Sequence, residues 1–336
     1  MRILIIQTAF AGDVILATVL IEKLYAAYPQ AEIDFLLRKG NENLLENNPK
    51  VSHVLIWNKQ SGKYRNLLAL IPKIRRREYD LVVNVQRFFS TGLLTVLSAA
   101  KETTGFAKNP LSLLFSRRVP HTIIPEKRIH ETERNLSLIS HLTDIGPVKP
   151  VLYPAEKDFQ RVKPKSKYIC IAPASIWFTK QWPAHKWIEL IQRLDPSYSI
   201  YLLGGKDDFH TCRMIQEKSG RHNVINLAGA LTFLESAALM KNAEMNYVHD
   251  SAPMHLASAV NAPVTVIYCS TIPGFGFTPL SDFSVIIEYP NKLDCRPCGL
   301  HGLKACPRGH FQCSHIEVSQ VIALSLKRKQ PMQQVP

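Results

Sequence analysis

The sequence predicts an α/β protein made of two doubly wound parallel sheets. Short apolar runs alternate with longer helical patterns twice along the chain, and runs such as Arg2–Ile6 and Val264–Tyr268 are apolar almost throughout. Such strands are typical of parallel sheets covered by helices on both faces, because both faces of each strand must be buried. The chain has 336 residues, 46% of them hydrophobic, which is enough for two domains.

Five strands are predicted in the first half, with helices between them. They lie at Ile3–Gln7, Ile33–Leu37, Val54–Trp57, Leu81–Asn84 and Thr103–Phe106. A helix over about Arg128–Leu142 follows, and a stretch with four prolines over Asp144–Lys167 predicts the linker. The domains are therefore expected at residues 1–150 and 151–326.

The second half repeats this pattern. Its predicted strands lie at Tyr168–Ala172, Ile200–Leu203, Val224–Asn226, Met245–His249 and Val264–Tyr268. The basic runs Arg75–Arg77 and Lys327–Lys329 are expected to end helices, where cations suit the helix dipole, and a frayed tail is expected after Lys329. Ligands bind such sheets at the carboxyl ends of the strands, so a cleft between the two domains is the expected active site.

The composition restricts the partners and the compartment. The formal net charge of +14 favours anionic partners, which include phosphosugars, nucleic acid and an acidic membrane face. The chain lacks an aromatic and basic stacking motif or a recognition-helix pattern, so nucleic acid is disfavoured. No secretory leader opens the sequence and no apolar stretch approaches the roughly 20 residues of a membrane span, so a cytoplasmic protein is expected.

Asp13 is the first candidate site residue. It follows the first strand and Gly12, near the start of a helix. A carboxylate there commonly caps the helix by accepting backbone N–H bonds, and it can also act as a general base at the cleft. Gly12 is expected to turn the backbone sharply and leave room for a substrate. The turn contains neither G-x-G-x-x-G nor a Walker loop, which disfavours classical dehydrogenases and P-loop enzymes.

Two further segments lie after strands of the second half. Lys180 precedes Trp-Pro and a helix start, where an ammonium group and converging N–H groups would suit a diphosphate; a solvated lysine is the less favoured alternative. The segment Asp250-Ser251-Ala252-Pro253-Met254-His255 starts another helix, and capping accounts for the first two residues but not for His255.

In this order and spacing, these segments resemble glycosyltransferase family 9, whose heptosyltransferases use ADP-activated heptose. The resemblance covers nearly the whole chain and includes His130–Asn135. It implies a GT-B fold of two Rossmann-like domains facing a central cleft, with the acceptor on the N-terminal domain and the nucleotide sugar on the C-terminal one.

The same resemblance implies roles for single residues. Asp13 would be the base, and Lys180 and Ser175 would contact the donor phosphates. Asp250, Ser251 and His255 would bind the donor sugar and phosphate, while Ala252 replaces the glycine of the family. Asp207 or Asp208 would contact the nucleoside, and helix capping explains both equally well.

The implied reaction is an inverting, metal-independent transfer of heptose from ADP-heptose to the inner core of lipopolysaccharide, either lipid A–Kdo or a heptosyl acceptor. Such an acceptor implies peripheral contact with the inner membrane, for which the basic and apolar segment Lys108–Arg118 is a candidate. An ordinary amphipathic surface helix is an equally favoured interpretation of this segment. Two alternatives stay open. The protein could use another nucleotide sugar for surface glycan synthesis, or bind a nucleotide sugar without transfer.

Seven cysteines complete the candidates. Three lie in apolar or helical contexts typical of buried reduced thiols: Cys170, Cys212 and Cys269. The other four cluster with three histidines: Cys295, Cys298, Cys306 and Cys313. No cofactor is expected for catalysis. A structural zinc site and reduced packing thiols are equally favoured for the cluster, because the first pair has ligand spacing but the later spacings do not repeat it. Redox or disulfide use is a third, less favoured alternative.

Overall fold

The computed structural model describes residues 1–325, so the Lys327–Lys329 run and the tail predicted after it lie outside the described residues. The chain divides into two compact units, one of Met1–Tyr153 and one that begins at Pro154. This division lies inside the Pro-containing stretch from which the linker is predicted. Among the described residues, no helix has the length and apolar character needed to cross a membrane.

The first unit is a six-stranded parallel sheet flanked by helices. Its elements are β1 (Arg2–Ile6), α1 (Ala11–Ala27), β2 (Glu32–Arg38), β3 (His53–Trp57), α2 (Lys63–Arg75), β4 (Leu81–Asn84), α3 (Phe89–Val96), β5 (Glu102–Phe106), β6 (Arg117–Val119) and α4 (Glu131–Ser137). The strand order is β3-β2-β1-β4-β5-β6. Chain order reverses at β1 and β4, and parallel sheets of this type bind ligands at such a switch point.

The second unit repeats this architecture. Its elements are α5 (Glu156–Arg161), β7 (Tyr168–Ala172), α6 (Ala184–Arg193), β8 (Ser199–Leu202), α7 (Phe209–Ser219), β9 (Val224–Asn226), α8 (Phe233–Lys241), β10 (Met245–His249), α9 (Ala252–Ala259), β11 (Val264–Tyr268), β12 (Ser284–Glu288) and α10 (Val318–Ser325). The order β12-β11-β10-β7-β8-β9 places the switch point at β7 and β10. The predicted fold class of two doubly wound parallel sheets is confirmed.

Four details differ from the sequence-based expectation. Strands β6 and β12 were not predicted, and each lies at an edge of its sheet. Helix α4 is shorter than the predicted helix, because its capping box starts it at Glu131 and the chain passes into turns after Ser137. Helix α5 lies inside the predicted linker.

The cores form because the central strands are buried on both faces. All side chains of β1 except Arg2 are buried, and the five residues of β7 are buried as well. In the second unit, α6 packs Trp187, Leu190 and Ile191 into the core, which contributes roughly 2 kcal/mol for each side chain. The central strands are thereby fixed, and so are the loops at their carboxyl ends.

A polar network is buried in the first unit. The carboxylate of Asp34 on β2 is 1% exposed. It accepts a hydrogen bond from the hydroxyl of Tyr79 at 2.6 Å and is paired with Arg77 at 2.9 Å. The basic run Arg75–Arg77 thus ends α2, as predicted, and its last residue also compensates a buried charge.

Candidate active site

The loop between β1 and α1 is held by polar side chains from neighbouring segments. The carboxamides of Gln86 and Gln7 are hydrogen-bonded, and the Gln7 oxygen also accepts from Ala9 N at 3.1 Å. The carbonyl of Ala9 accepts from Asn41 at 3.1 Å, and that of Thr8 accepts from the Lys59 ammonium at 2.7 Å. These contacts fix the loop that presents Asp13 at the carboxyl end of the central strand β1.

Asp13 lies in the first turn of α1, and its Oδ2 accepts a hydrogen bond from the Phe10 N–H at 3.2 Å. The capping interpretation is thus correct, and about 1 kcal/mol is typical for such a bond. The expectation for Gly12 is wrong in its detail. Helix α1 begins at Ala11, so Gly12 is already helical, and it is not among the glycines of residues 1–325 that have positive φ.

The environment of Asp13 also alters its acidity. Burial, together with the negative charge of Glu131, raises the pKa of Asp13 to about 6, against the lowering effects of the Phe10 N–H and of Arg38. A carboxyl with this pKa is mostly ionised at neutral pH and is a stronger base than an ordinary aspartate. Capping a helix does not require this shift.

Glu131 begins α4, which packs against α1. Its carboxylate lies 3.1 Å from Nε2 of His121 and 2.6 Å from Nε of Arg134. Burial tends to raise the pKa of Glu131, but the hydrogen bond and charge of His121 and the charge of Arg134 outweigh this and lower it. Glu131 therefore stays ionised beside Asp13.

Basic side chains lie near the same loop, and sequence reasoning missed them. Burial and the charges of Arg38 and Lys63 lower the pKa of Lys59 to about 8. The Lys59 ammonium lies 4.4 Å from the centre of the Trp57 ring, and the Arg38 guanidinium lies 4.7 Å from that of Phe10. Because Arg38, Lys59 and Lys63 repel one another, this part of the surface would bind an anionic partner favourably. Arg38 lies on a segment separate from Lys59 and Lys63, so the group left no local signal in the sequence.

In the second unit, the loop after β7 carries Ser175 and Lys180. Ser175 is partly exposed, and its carbonyl accepts from the Gln181 side chain at 2.6 Å. The Lys180 ammonium lies 2.8 Å from Oδ2 of Asp250 and 3.0 Å from the Asp250 carbonyl oxygen. Lys180 is therefore not a freely solvated lysine, and the structure brings it together with Asp250.

The loop after β10 carries the other predicted residues. Asp250 is buried, and its Oδ2 also accepts from the Thr271 hydroxyl at 2.7 Å. Ser251 is the N-cap of α9, Ala252 is its first residue and His255 is buried in it. His249 is the last residue of β10 and directly precedes Asp250. Burial lowers the pKa of His249 to about 4, and its neutral Nε2 accepts a hydrogen bond from the Trp182 N–H at 2.7 Å. His249 thus fixes the segment after Lys180, a role that sequence reasoning missed.

The remaining acidic candidates lie after β8. Oδ2 of Asp208 accepts from the Gly205 N–H at 2.8 Å, so Asp208 serves as a cap, whereas Asp207 is exposed.

This arrangement suits a bound anion. An ammonium group has three N–H donors, and two of those of Lys180 bind Asp250, so it can also bind a phosphate oxygen without losing either contact. The N-terminus of α9 starts beside Asp250, and helix N-termini favour anions. The second unit therefore presents one positive side chain and one helix N-terminus at the carboxyl ends of its strands.

Comparison with known proteins decides the family. The model of glycosyltransferase family 9 (heptosyltransferase) matches residues 67–299, which is more than half of the chain. The chain belongs to glycosyltransferase family 9. Lipopolysaccharide heptosyltransferase 3 of Escherichia coli is 30% identical to this glycosyltransferase over 277 residues, which cover 78% of this chain and 82% of that protein.

Two solved structures have the same fold as this glycosyltransferase. The family 9 glycosyltransferase of Veillonella parvula aligns with a TM-score of 0.83 over 96% of each chain, at 20% identity. The E. coli ADP-heptose lps heptosyltransferase II aligns with a TM-score of 0.79 over 98% of this chain and all of that one, at 22% identity. These likenesses show the GT-B type of fold. The family match includes Lys180 and Asp250–His255 but begins after Asp13.

The cysteines of this glycosyltransferase are all free thiols. Cys170, Cys212 and Cys269 are buried as predicted, and burial raises the pKa of the Cys212 thiol to about 12. In the cluster, Sγ of Cys295 lies 3.7 Å from Nε2 of His310, and Cys313 is buried. Within residues 1–325, no group of three or more His, Cys, Asp or Glu side chains has an arrangement that could hold a metal ion.

Proposed function

We propose that this glycosyltransferase transfers a heptose from ADP-heptose to the inner core of lipopolysaccharide, with inversion at the anomeric carbon. The names of the relatives support the sugar and the acceptor. The observation that carries the proposal is Lys180, held by Asp250 beside the N-terminus of α9. That arrangement suits the diphosphate of a nucleotide sugar, which is the leaving group of the reaction.

In the proposed mechanism, Asp13 removes the proton from the acceptor hydroxyl as that oxygen attacks the anomeric carbon. The C–O bond to the diphosphate breaks as the new glycosidic bond forms, and the displacement inverts the configuration. Its raised pKa makes Asp13 a suitable base at neutral pH. Lys180 and the N–H groups near Ser175 and Ser251 stabilise the charge that develops on the departing ADP.

The donor side belongs to the second unit and the acceptor side to the first in this proposal. Asp250 orients Lys180, and Ser251 and His255 contact the sugar or phosphate. Ala252 begins α9 where the family has glycine, so its methyl group reduces the room for the backbone to approach a phosphate. The cationic group of Arg38, Lys59 and Lys63 suits the carboxylates and phosphates of an inner-core acceptor.

An acceptor in a membrane implies that the enzyme works at the inner face of the inner membrane. The turn at Ser112–Leu114 supports this part of the proposal, because Leu113 and Leu114 are 75% and 64% exposed. Lys108, Arg117 and Arg118 lie close by in sequence. Apolar side chains flanked by cations are typical of surfaces that bind anionic lipid.

The chemistry as proposed uses no metal or other cofactor. For the cluster of Cys295, Cys298, Cys306 and Cys313, we propose a structural role, with bound zinc or reduced thiols as the two alternatives. The second is favoured, because no three ligands within residues 1–325 are arranged to hold a metal ion. Metal analysis of protein purified without chelator distinguishes them. About one equivalent of zinc per chain supports the first, and less than about a tenth supports the second.

The experiment that tests the function is a donor and acceptor panel read by mass spectrometry. Purified protein is incubated with ADP-heptose or UDP- and GDP-sugars, each with and without a lipid A–Kdo or heptosylated acceptor. The proposal predicts a heptosylated glycolipid from ADP-heptose only. A product from another donor would support the alternative of another surface glycan, and donor binding without any product would support a binding protein. Nucleic acid is not an expected partner, and salt-sensitive retention on DNA or RNA would contradict this.

A further inference from the structure

A turn in the cysteine-rich segment lies directly against the residue that precedes Lys180. The N–H of Leu303 donates to Oγ1 of Thr179 at 2.8 Å, and the Thr179 N–H donates to the Leu303 carbonyl at 3.1 Å. The Ser270 hydroxyl also donates to Oγ1 of Thr179 at 2.9 Å. Thr179 is 1% exposed, so its hydroxyl is fully enclosed by these contacts. The position of Thr179 is therefore determined by two segments far along the chain.

Gly302 completes this contact because it lacks a side chain. Its φ is +77°, and a Cβ there would lie 3.1 Å from Cγ of Lys180, 3.1 Å from Oγ1 of Thr179 and 3.3 Å from Cβ of Trp177. These distances are shorter than ordinary van der Waals contact between such atoms. A methyl group at position 302 would therefore push the stem of Lys180 by a few tenths of an ångström.

The same segment also holds the loop that orients Asp250. The guanidinium of Arg296 donates to the carbonyl oxygens of Cys269 and Thr271, at 2.6 and 2.7 Å. The N–H of Cys298 donates to the Ser270 carbonyl at 3.0 Å. Since the Thr271 hydroxyl binds Asp250, and Asp250 binds Lys180, the segment supports both partners of the ion pair.

We propose that Gly302 is a positioning residue for the nucleoside diphosphate: the Gly302–Leu303 turn, through Thr179, sets where the Lys180 ammonium lies relative to Asp250. The inference rests on the proposed function, in which Lys180 contacts the donor phosphates. In this inference the cysteine-rich segment holds Thr179 and the loop after β11 in place at the donor site, and it does so without a metal. The expected consequence of disturbing the turn is weaker binding of ADP together with a lower kcat/KM for the nucleotide sugar, because Lys180 binds the diphosphate and stabilises it as it departs.

The test compares Gly302→Ala with Gly299→Ala. Both glycines have φ of +77°, so both variants carry the same backbone strain, but a Cβ at position 299 would meet nothing within 4 Å. Binding of ADP is measured by calorimetry, and KM and kcat are measured with ADP-heptose. Gly302→Ala should raise the Kd for ADP about tenfold relative to Gly299→Ala, the effect of roughly one lost charge-assisted hydrogen bond, and it should lower kcat/KM for ADP-heptose at least as much, because Lys180 also stabilises the departing ADP. Equal ADP affinity in the two variants would overturn the inference.

A second pair of variants covers the case in which Gly302→Ala does not fold. Thr179→Val removes the hydroxyl that binds Leu303 and Ser270, whereas Thr179→Ser keeps it. The first should weaken ADP binding, and the second should restore it to within about twofold of the wild type. Weakening in both variants, or in neither, would count against the positioning role.

Lys180→Ala separates failure of this inference from failure of the proposed function. If Lys180→Ala leaves ADP affinity unchanged, the donor-phosphate role of Lys180 is wrong, and the positioning role falls with it. If Lys180→Ala weakens ADP binding while Gly302→Ala behaves like Gly299→Ala, only the positioning role is wrong.

Discussion

Acidification should inactivate the enzyme at a pH set by Asp13. Burial and the charge of Glu131 raise the pKa of Asp13 to about 6, and the proposed base works only when ionised. The ionised fraction is then about 90% at pH 7 and about 10% at pH 5, so the rate should fall about tenfold between them. An aspartate with an ordinary pKa would stay about 90% ionised at pH 5.

The assay is initial-rate heptosyl transfer between about pH 4.5 and pH 8, with kcat/KM for the acceptor plotted against pH. Glu131→Gln tests the cause, because removing its charge should move the acidic limb to lower pH. Burial is then the main influence that still raises the pKa of Asp13, and Arg38 and the Phe10 N–H continue to lower it. Circular dichroism at each pH controls for unfolding. A limb with its midpoint near pH 4 in the wild type would refute the link between Asp13 and this environment.

Two further predictions concern stability and membrane contact. Asp34→Ala should lower the free energy of unfolding by about 3 kcal/mol in urea titrations, because Arg77 and Tyr79 lose their buried partner, and a change below about 0.5 kcal/mol would contradict this. Replacing Leu113 and Leu114 by serine should reduce sedimentation with vesicles containing anionic phospholipid several-fold, without changing transfer to a short soluble acceptor. Unchanged sedimentation would remove this turn from the proposed membrane contact.

The central strands were predictable because burial on both faces leaves a continuous apolar run. Of the four edge strands, β3 and β9 were predicted, but β6 and β12 were not. The three residues of β6 include Arg117 and Arg118, so its backbone pairing with β5 leaves no apolar pattern. Strand β12 is short and partly exposed, which likewise weakens its pattern. Helix α4 was predicted too long because apolar residues continue to Leu142 in turns that follow the helix.

The candidate site was predictable where its residues follow parallel strands. Lys180 and Asp250 each follow a strand, and parallel strands bring their carboxyl ends to one edge, so the sequence indicated both. The support of Thr179 by Leu303 joins residues 124 positions apart and leaves no pattern. The pKa of Asp13 likewise depends on Glu131 of another helix, and such tertiary effects are not encoded in local spacing.

The most direct measurement compares Asp13→Asn with the wild type in two assays of the same protein. Heptosyl transfer from ADP-heptose is followed by mass spectrometry, and ADP binding is followed by calorimetry. The substitution keeps the size of the side chain and removes its basicity, so transfer should fall about a thousandfold while the Kd for ADP stays within about twofold. Turnover close to that of the wild type would show that this carboxylate is not the base.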